Sequence, residues 1–555
     1  MTRKRGASVL SPWLTGSVLT SLLVLIPVAV VLSSIFQDSG GAWSHLVETR
    51  LSDYALNTLL LTISVCAVTA CIGIPTAWLV TMHEFPGRKV LSWALLLPLA
   101  VPAYLSAYAM TDFLQVSGPV QSWLRATADL DVGDYWFPDL RSLPGAAAIL
   151  GFSLYPYVYF AARTAFIEQS QSLLEASRTL GRSPLRTFIT VALPLARPAL
   201  AAATILVMLE TVADFGAVEH CAVDTFATGV YRTWLGLDSL EAASQLSSLM
   251  LALLIGLIVA GVLLRRNSRV HRTTARCTSL RRTRITGGGA IIATTVCVIP
   301  LLVGFALPFA RFVYLSLSSG DARAGELLVT LAGNTFFLAA VSGVLSVVIA
   351  VLVTYTARLR RDTVGSSLVE VCRAGYAIPG PVIAISVLAA LGWIDHRINS
   401  ASATLFSDLE PPGLLLTGTV VAMLIGYQTR FLAVAIAPIY TGFARANVHL
   451  DDAARTLGSR PFATLLRVHI PSMHASLLAA GLLVFVDVAK ELPATLMLRP
   501  FNFDTLAVRV YQLASDERLA EASTSAIGII AVGIIPIFIL HRFIERQHST
   551  LKAGT

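Results

Sequence analysis

Four carboxylates interrupt the apolar runs of this 555-residue chain: Glu210 and Asp214, then Asp487 and Glu491, with Lys490 beside the last. The second pair follows the first at an offset of 277 positions. A charged side chain at the centre of a membrane helix costs roughly 3 kcal/mol, so such groups mark a polar path for a solute or ion pairs between helices. Both readings stay open for these five residues. Carboxylates are hard oxygen donors, which suit a hard cation and repel a bare oxyanion. Catalysis is not expected of them. The sequence holds no His-Glu-x-x-His and no Gly-x-Ser-x-Gly, and no nucleophile–base pair falls within an apolar run. Its lysines are Lys4, Lys89, Lys490 and Lys552, and none precedes Ser or Thr, which excludes a Walker-type phosphate loop. No bound cofactor or metal is expected, and the six cysteines form no close metal-like cluster.

The elements that must position these residues are membrane spans. The chain is 55% apolar and 13% charged, with a mean hydropathy of +0.72, whereas ordinary domains are about 25% charged. Runs of about 20 apolar residues, enough to cross the hydrocarbon core, recur from end to end. They predict an all-α polytopic membrane protein with spans at 13–35, 56–81, 90–113, 145–166, 197–218, 245–264, 289–316, 333–357, 368–393, 411–438, 474–497 and 524–542. The first run is too long for a signal-peptide core and lacks an obvious cleavage site, so it reads as an uncleaved span. Eight arginines between Arg265 and Arg284, with no acid among them, place the loop between spans six and seven in the cytoplasm. Both termini then face the cytoplasm too. The net charge of +8 is thus topological; the basic loop lacks aromatic interleaving, and nucleic acid is not an expected partner.

Two polar segments are near copies. Glu175-Ala176-Ser177-Arg178-Thr179-Leu180-Gly181-Arg182-Ser183-Pro184 continues to Pro194, and Asp452-Ala453-Ala454-Arg455-Thr456-Leu457-Gly458-Ser459-Arg460-Pro461 continues to Pro471. Ten positions are identical between 175–200 and 452–477. The offset also pairs Asn57-Thr58 with Asn334-Thr335 and Pro102 with Pro379 and, after a short slip, Asp224-Thr225 with Asp504-Thr505. The chain therefore reads as two six-span halves of the same orientation, 1–265 and 289–555, joined by an Arg-rich linker at 266–288. Each polar segment predicts two short helices. Gly181 and Gly458 stop the first; Ser183, Pro184 and Pro461 start the second. Leu185, Phe188, Ile189 and Ala192 form an apolar stripe on it, and Pro194 and Pro471 end the excursion. The helix pair reads as a plug for a groove on a partner protein, because lipid alone would not require glycine at the same place in both copies.

The segments Glu175-Ala176-Ser177 to Gly181 and Asp452-Ala453-Ala454 to Gly458 resemble the Glu-Ala-Ala…Gly loop motif of the inner-membrane permeases of binding-protein-dependent ABC importers. Ser177 replaces the second alanine and Asp452 replaces the glutamate. The resemblance implies about twelve transmembrane helices in two parallel six-helix MetI-like repeats. It assigns Glu175, Ala176, Ser177, Gly181, Pro184, Asp452, Ala453, Ala454, Gly458 and Pro461 to ATPase-coupling helices. It further implies a homodimeric ABC ATPase that consumes the ATP, a periplasmic substrate-binding protein, and residence in the lipid bilayer of a bacterial inner membrane. Val212–Val218 with Val223–Arg232, and Lys490–Thr495, look like the two halves of fused ferric iron permeases, which implies Fe(III) as solute. Thiamine, polyamine and phosphonate importers share the plan and remain alternatives. A gradient-driven secondary transporter would show inverted repeats instead.

Overall fold

A computed structural model of the chain describes residues 12–169, 175–177, 179–266, 282–319, 324–405, 413–447 and 449–535. Among these the only strands are two residues long: His83–Glu84 pairs in parallel with Thr283–Arg284. Among the described residues nine helices are long and apolar enough to cross a membrane, and two bent helix pairs raise the number to as many as eleven. The expected span at 524–542 is a shorter helix, Leu519–Ile535, and its remainder lies outside the described residues. The protein is thus an all-α polytopic membrane protein.

Several expected spans are broken, and at Pro102 and Pro379 proline explains where. The span expected at 90–113 consists of Arg88–Ala94, a 3₁₀ turn at Leu97–Ala100 and Ala103–Leu114. Its two arms, Arg88–Ala100 and Ala103–Ala128, meet at 93°. Val101, before Pro102, is extended at φ −99°, ψ 111°, as the proline ring demands of its predecessor. Ile378, before the matching Pro379, repeats this at φ −83°, ψ 124°. The span expected at 368–393 therefore splits, and the crossing helix is Gly380–Thr404. The span expected at 197–218 ends at Ala213, and a separate short helix follows at Gly216–His220. Likewise His474–Ala489 gives way to Pro493–Leu498.

The chain falls into two compact units, each assembled from both halves of the sequence. One comprises Met1–Trp43, Val230–Ser248 and Arg323–Arg509; the other comprises Ser44–Gly229, Leu249–Ala322 and Val510–Thr555. The first unit is built on the mutually packed helices Ala324–Arg360, Val420–Arg445 and His474–Ala489. A side chain at Gly343 would meet the Gly481 carbonyl at 2.9 Å; small residues let helix backbones approach in this way without a hydrophobic drive from water. Helix Pro12–Ser33 packs on the same unit, where Ser17 donates to the Thr356 hydroxyl at 2.8 Å. The second unit is built on Leu51–Met82, Leu143–Glu168 and Leu193–Ala213. There a side chain at Gly73 would meet the Tyr159 amide nitrogen at 2.8 Å.

The segment before the Gly288–Leu301 helix is pinned to this second unit. Arg282 reaches Glu84 at 3.5 Å, Thr283 reaches His83 Nδ1 at 2.7 Å, and Arg88 holds Glu84 at 2.9 Å. Residues 267–281 of the expected linker lie outside the described residues.

Candidate coupling elements and polar helix breaks

Both repeated segments fold to the same local plan. In the second, His449–Thr456 ends in a backbone motif in which Ser459 N–H donates to Ala454 O at 2.9 Å and Gly458 N–H to Arg455 O at 3.0 Å. Gly458 has φ +77°. This pairing satisfies the last helical carbonyls and needs a left-handed residue, the reason for glycine. In the first segment Gly181 has φ +82° and Arg182 N–H donates to Ser177 O at 3.2 Å. The second short helix starts at Pro184 in one copy, capped by the Ser183 hydroxyl, and at Pro461 in the other.

Each short helix then runs into one π-helical turn, Phe188–Ala192 and Leu465–His469. Pro194 and Pro471 lack the N–H that would complete the helical ladder two residues beyond, and a π turn relieves such a gap. Two expectations are corrected here. Pro194 does not end the excursion, because Pro184–Ala213 runs on as one membrane-length helix; only the second copy breaks, by 81° between Pro461–Ser472 and His474–Ala489. The apolar stripe also divides. Thr187 and Ala192 are buried while Leu185 and Ile189 are exposed. Leu173 and Leu174, which continue the apolar pattern ahead of Glu175, lie outside the described residues, as does Arg178.

The result is a matched set of exposed apolar side chains. Leu180 and Leu457 are 80% and 87% exposed, Leu185 and Phe462 68% and 60%, Ile189 and Leu466 53% and 46%. Glu175, Ala176, Asp452 and Ala453 are exposed beside them. Ser177 and Ala454 instead point inward at 5% and 8% exposure. Ser177 meets the buried Thr187 hydroxyl at 3.0 Å; where alanine replaces it, Thr464 turns to Ser459 at 3.0 Å. The serine-for-alanine change is thus accommodated by a local hydrogen bond.

The two elements are anchored by different chemistry. Under the first, Phe188 packs on Trp78 at 4.9 Å and on Phe166 at 6.2 Å between ring centres. Under the second lies a polar latch that the sequence reading missed. Asp451 takes hydrogen bonds from Arg358 Nε at 2.8 Å and His469 Nε2 at 2.7 Å. Arg358 also donates to the carbonyls of Phe443, Ala446 and Asn447 at 2.5, 3.1 and 3.3 Å. Burial pushes the Asp451 carboxyl up, but the His469 and Arg358 hydrogen bonds outweigh it and hold the group below the ordinary carboxylate range. The counterparts of Arg358 and His469 at the 277-residue offset are Thr81 and Ala192. His469, a polar side chain in an apolar stripe, was the one visible signal.

The membrane carboxylates sit at the helix breaks. Asp214 Oδ1 accepts the amides of Ala217 and Val218 at 3.0 and 3.1 Å. Glu491 accepts the matching amides of Ala494 and Thr495 at 2.9 and 2.8 Å, and the Thr495 hydroxyl as well. Both therefore tether a short helix to the end of a span, satisfying amides that hydrocarbon would leave bare. Glu491 is 5% exposed and lies 3.5 Å from Arg430. Asp487 pairs with Lys490 at 3.0 Å. Glu210, in the last turn of Leu193–Ala213, and Asp214, just past its end, are half-buried. The repeated Asn-Thr and Asp-Thr pairs also meet. Asn57 donates to Asp224 O and Asn334 to Asp504 O, each at 3.0 Å. Thr58 and Thr335 hydroxyls accept the amides of Phe226 and Leu506 at 3.1 and 3.0 Å.

Residues 70–272 match the family of binding-protein-dependent transport system inner membrane components. The chain is 23% identical over 502 residues to an Fe(3+)-transport system permease protein of Haemophilus influenzae, covering 90% of this chain and 91% of that one. A sulfate transport system permease protein of Escherichia coli is 27% identical over 205 residues, 37% of this chain and 71% of that one. A molybdate/tungstate transport system permease protein of Thermococcus kodakarensis is 23% identical over 237 residues, 42% of this chain and 87% of that one.

Proposed function

We propose, from the premise that this chain is a permease subunit of the MetI-like family of ABC importers, that it conducts Fe(III) handed over by a periplasmic binding protein. It is not an enzyme; the hydrolysis of ATP belongs to a separate ATPase. That ATPase is a homodimer, and its two copies grip the two exposed elements around Leu180, Leu185 and Ile189 and around Leu457, Phe462 and Leu466. Two grips on one chain require two like knobs, and the repeated pattern of exposure supports this most directly. Glu175, Ala176, Asp452 and Ala453 belong to the gripped surface. Ser177, Ala454, Gly181, Gly458, Pro184 and Pro461 shape it. Both knobs and both termini face the cytoplasm.

Similarity along nine-tenths of the chain to an Fe(3+) permease supports iron, whereas the sulfate permease aligns with 37% of it. Carboxylates near the helix breaks agree with a hard cation. Glu210 and Asp214 border the path. Asp487, Lys490 and Glu491 border it from the second half, where their pairing with each other and with Arg430 sets the shape of the break. Uptake of radiolabelled iron, sulfate, molybdate and thiamine by a deletion strain carrying the complete importer tests the solute. Iron uptake alone is expected; uptake of an oxyanion in its place would reject the cation reading.

A further inference from the structure

The second unit gathers arginines where three membrane spans end. Leu51–Met82 and Leu143–Ile167 finish here, and Gly288–Ser318 starts here. Two guanidinium groups share Glu84, Arg88 Nε at 2.9 Å and Arg282 Nη1 at 3.5 Å. Arg88 also donates to Val80 O at 3.2 Å, and Arg282 to Thr81 O at 3.3 Å. One turn beyond Arg88 on the Arg88–Ala94 helix, the Ser92 carbonyl accepts Arg163 Nη1 at 3.1 Å and the Tyr159 hydroxyl at 2.9 Å. Lys89 and Arg284 flank these arginines in the chain and are exposed.

Among the described side chains, Glu84 is the one carboxylate paired with Arg88, Arg163 or Arg282. Burial and the neighbouring Arg88 charge push the Arg282 guanidinium below its ordinary value; Glu84 pulls it back, and Arg163 adds to the push. The Arg88 side chain is only 11% exposed. A partly buried excess of positive charge is costly unless an anion joins it. Arginine on one face of a membrane is ordinary topology, but topology does not require three to crowd one acid. In the first unit Arg358 pairs with Asp451 at 2.8 Å, Arg360 with Asp362 at 2.8 Å and Arg373 with Glu370 at 3.0 Å, one carboxylate for each.

Bare apolar surface adjoins the cations. Val90 is exposed on the Arg88–Ala94 helix, and Ile291 and Ile292 are exposed in the first turns of the Gly288–Leu301 helix. Thr294 donates to Pro86 O at 3.3 Å, which holds that helix against the turn ahead of Arg88. A free phosphate would use the guanidinium groups alone. A phospholipid uses both features, its phosphate on the cations and an acyl chain along the isoleucines.

We propose that Arg88, Arg163 and Arg282 bind the phosphate of an anionic phospholipid at this membrane surface. The site follows from the membrane fold and is independent of the transported solute. Guanidinium groups match phosphate oxygens with paired N–H donors, and basic pockets between span ends suit acidic headgroups. The lipid offsets the repulsion among the three arginines and fixes the segment ahead of Gly288 on the second unit.

The test uses the full chain purified with its ATPase and stripped of lipid. It is titrated in detergent with phosphatidylglycerol, or with phosphatidylcholine of the same acyl chains, and native mass spectrometry counts the molecules retained. Wild type should hold phosphatidylglycerol about tenfold more tightly than phosphatidylcholine, the worth of one charge-assisted contact. Arg163→Gln with Arg282→Gln should erase that preference, whereas Arg373→Gln, which alters an arginine with its own acid, should keep it. Inorganic phosphate in large excess should not displace the lipid. The wild-type comparison needs no variant, so a variant that does not assemble leaves it as the test. Equal binding of the two lipids by wild type, a preference that survives Arg163→Gln with Arg282→Gln, a preference lost as fully in Arg373→Gln, or displacement by inorganic phosphate would each overturn the lipid site.

Discussion

Replacing Asp451 with alanine should disable the second coupling element while leaving the first intact. In the native protein the Asp451 carboxylate is 6% exposed, faces Arg358 at 12% and touches His469 at 0%. Removing one partner of a buried ion pair costs about 3–5 kcal/mol. The lower end applies, because Arg358 keeps the Phe443, Ala446 and Asn447 carbonyls. About 3 kcal/mol is on the order of a hundredfold in the ratio of seated to unseated element. Solute uptake should fall at least tenfold, and a cysteine placed at Leu457 should lose its cross-link to the ATPase. Asp451→Asn keeps an acceptor for Arg358 without the charge and should lie between. Wild-type uptake and cross-linking in Asp451→Ala would refute the latch. Its pH dependence is also set. A carboxyl more acidic in the folded state contributes stability above its unfolded value, about 3.9, and loses it as pH falls through the lower folded value. Asp451 is of this kind, so its own contribution to the latch should persist until the pH falls below about 4 and be lost only in stronger acid.

Gly181→Val together with Gly458→Val should uncouple ATP hydrolysis from uptake while membrane insertion persists. Each left-handed backbone, at φ +82° and +77°, strains an L-residue by roughly 1–2 kcal/mol; coupled uptake measured beside hydrolysis decides it, and an unchanged ratio counts against docking. Leu180→Asp with Leu457→Asp alters two side chains that are 80% and 87% exposed. The thermal midpoint of the purified chain should stay put, since surface changes cost within about 0.5 kcal/mol; the ATPase should no longer copurify, and retained copurification would exclude these knobs. Glu491→Ala leaves Arg430 facing an emptied site and should cost about 3 kcal/mol or more, whereas Asp214→Ala loses a helix cap worth about 1 kcal/mol. Unfolding in detergent followed by tryptophan fluorescence should separate the two, and equal shifts would contradict the assigned roles.

Much of this was legible in the sequence because duplication supplied an internal control. Glycine at 181 and 458 implied a left-handed helix end, and both are left-handed. Asn57-Thr58 and Asp224-Thr225 stood out only as repeated pairs; their meeting across about 170 residues needed coordinates. The breaks at Pro102 and Pro379 were hinted at by proline, but hydropathy treats a bent apolar run and a straight one alike. The grouping of Pro12–Ser33 with helices of the other half was invisible, since lipid-facing helices carry no pattern that names their neighbours. The Asp451 latch was hidden by position: an acid at a helix start reads as an ordinary cap.

Solute flux into proteoliposomes containing the purified chain, with and without the ATPase and with and without ATP, tests the division of labour most directly. Iron should accumulate only when the chain, the ATPase, ATP and the loaded binding protein are all present, and Leu180→Asp with Leu457→Asp should abolish it. Accumulation by the chain alone, driven by an ion gradient, would contradict a permease moved by a separate motor through two matched knobs.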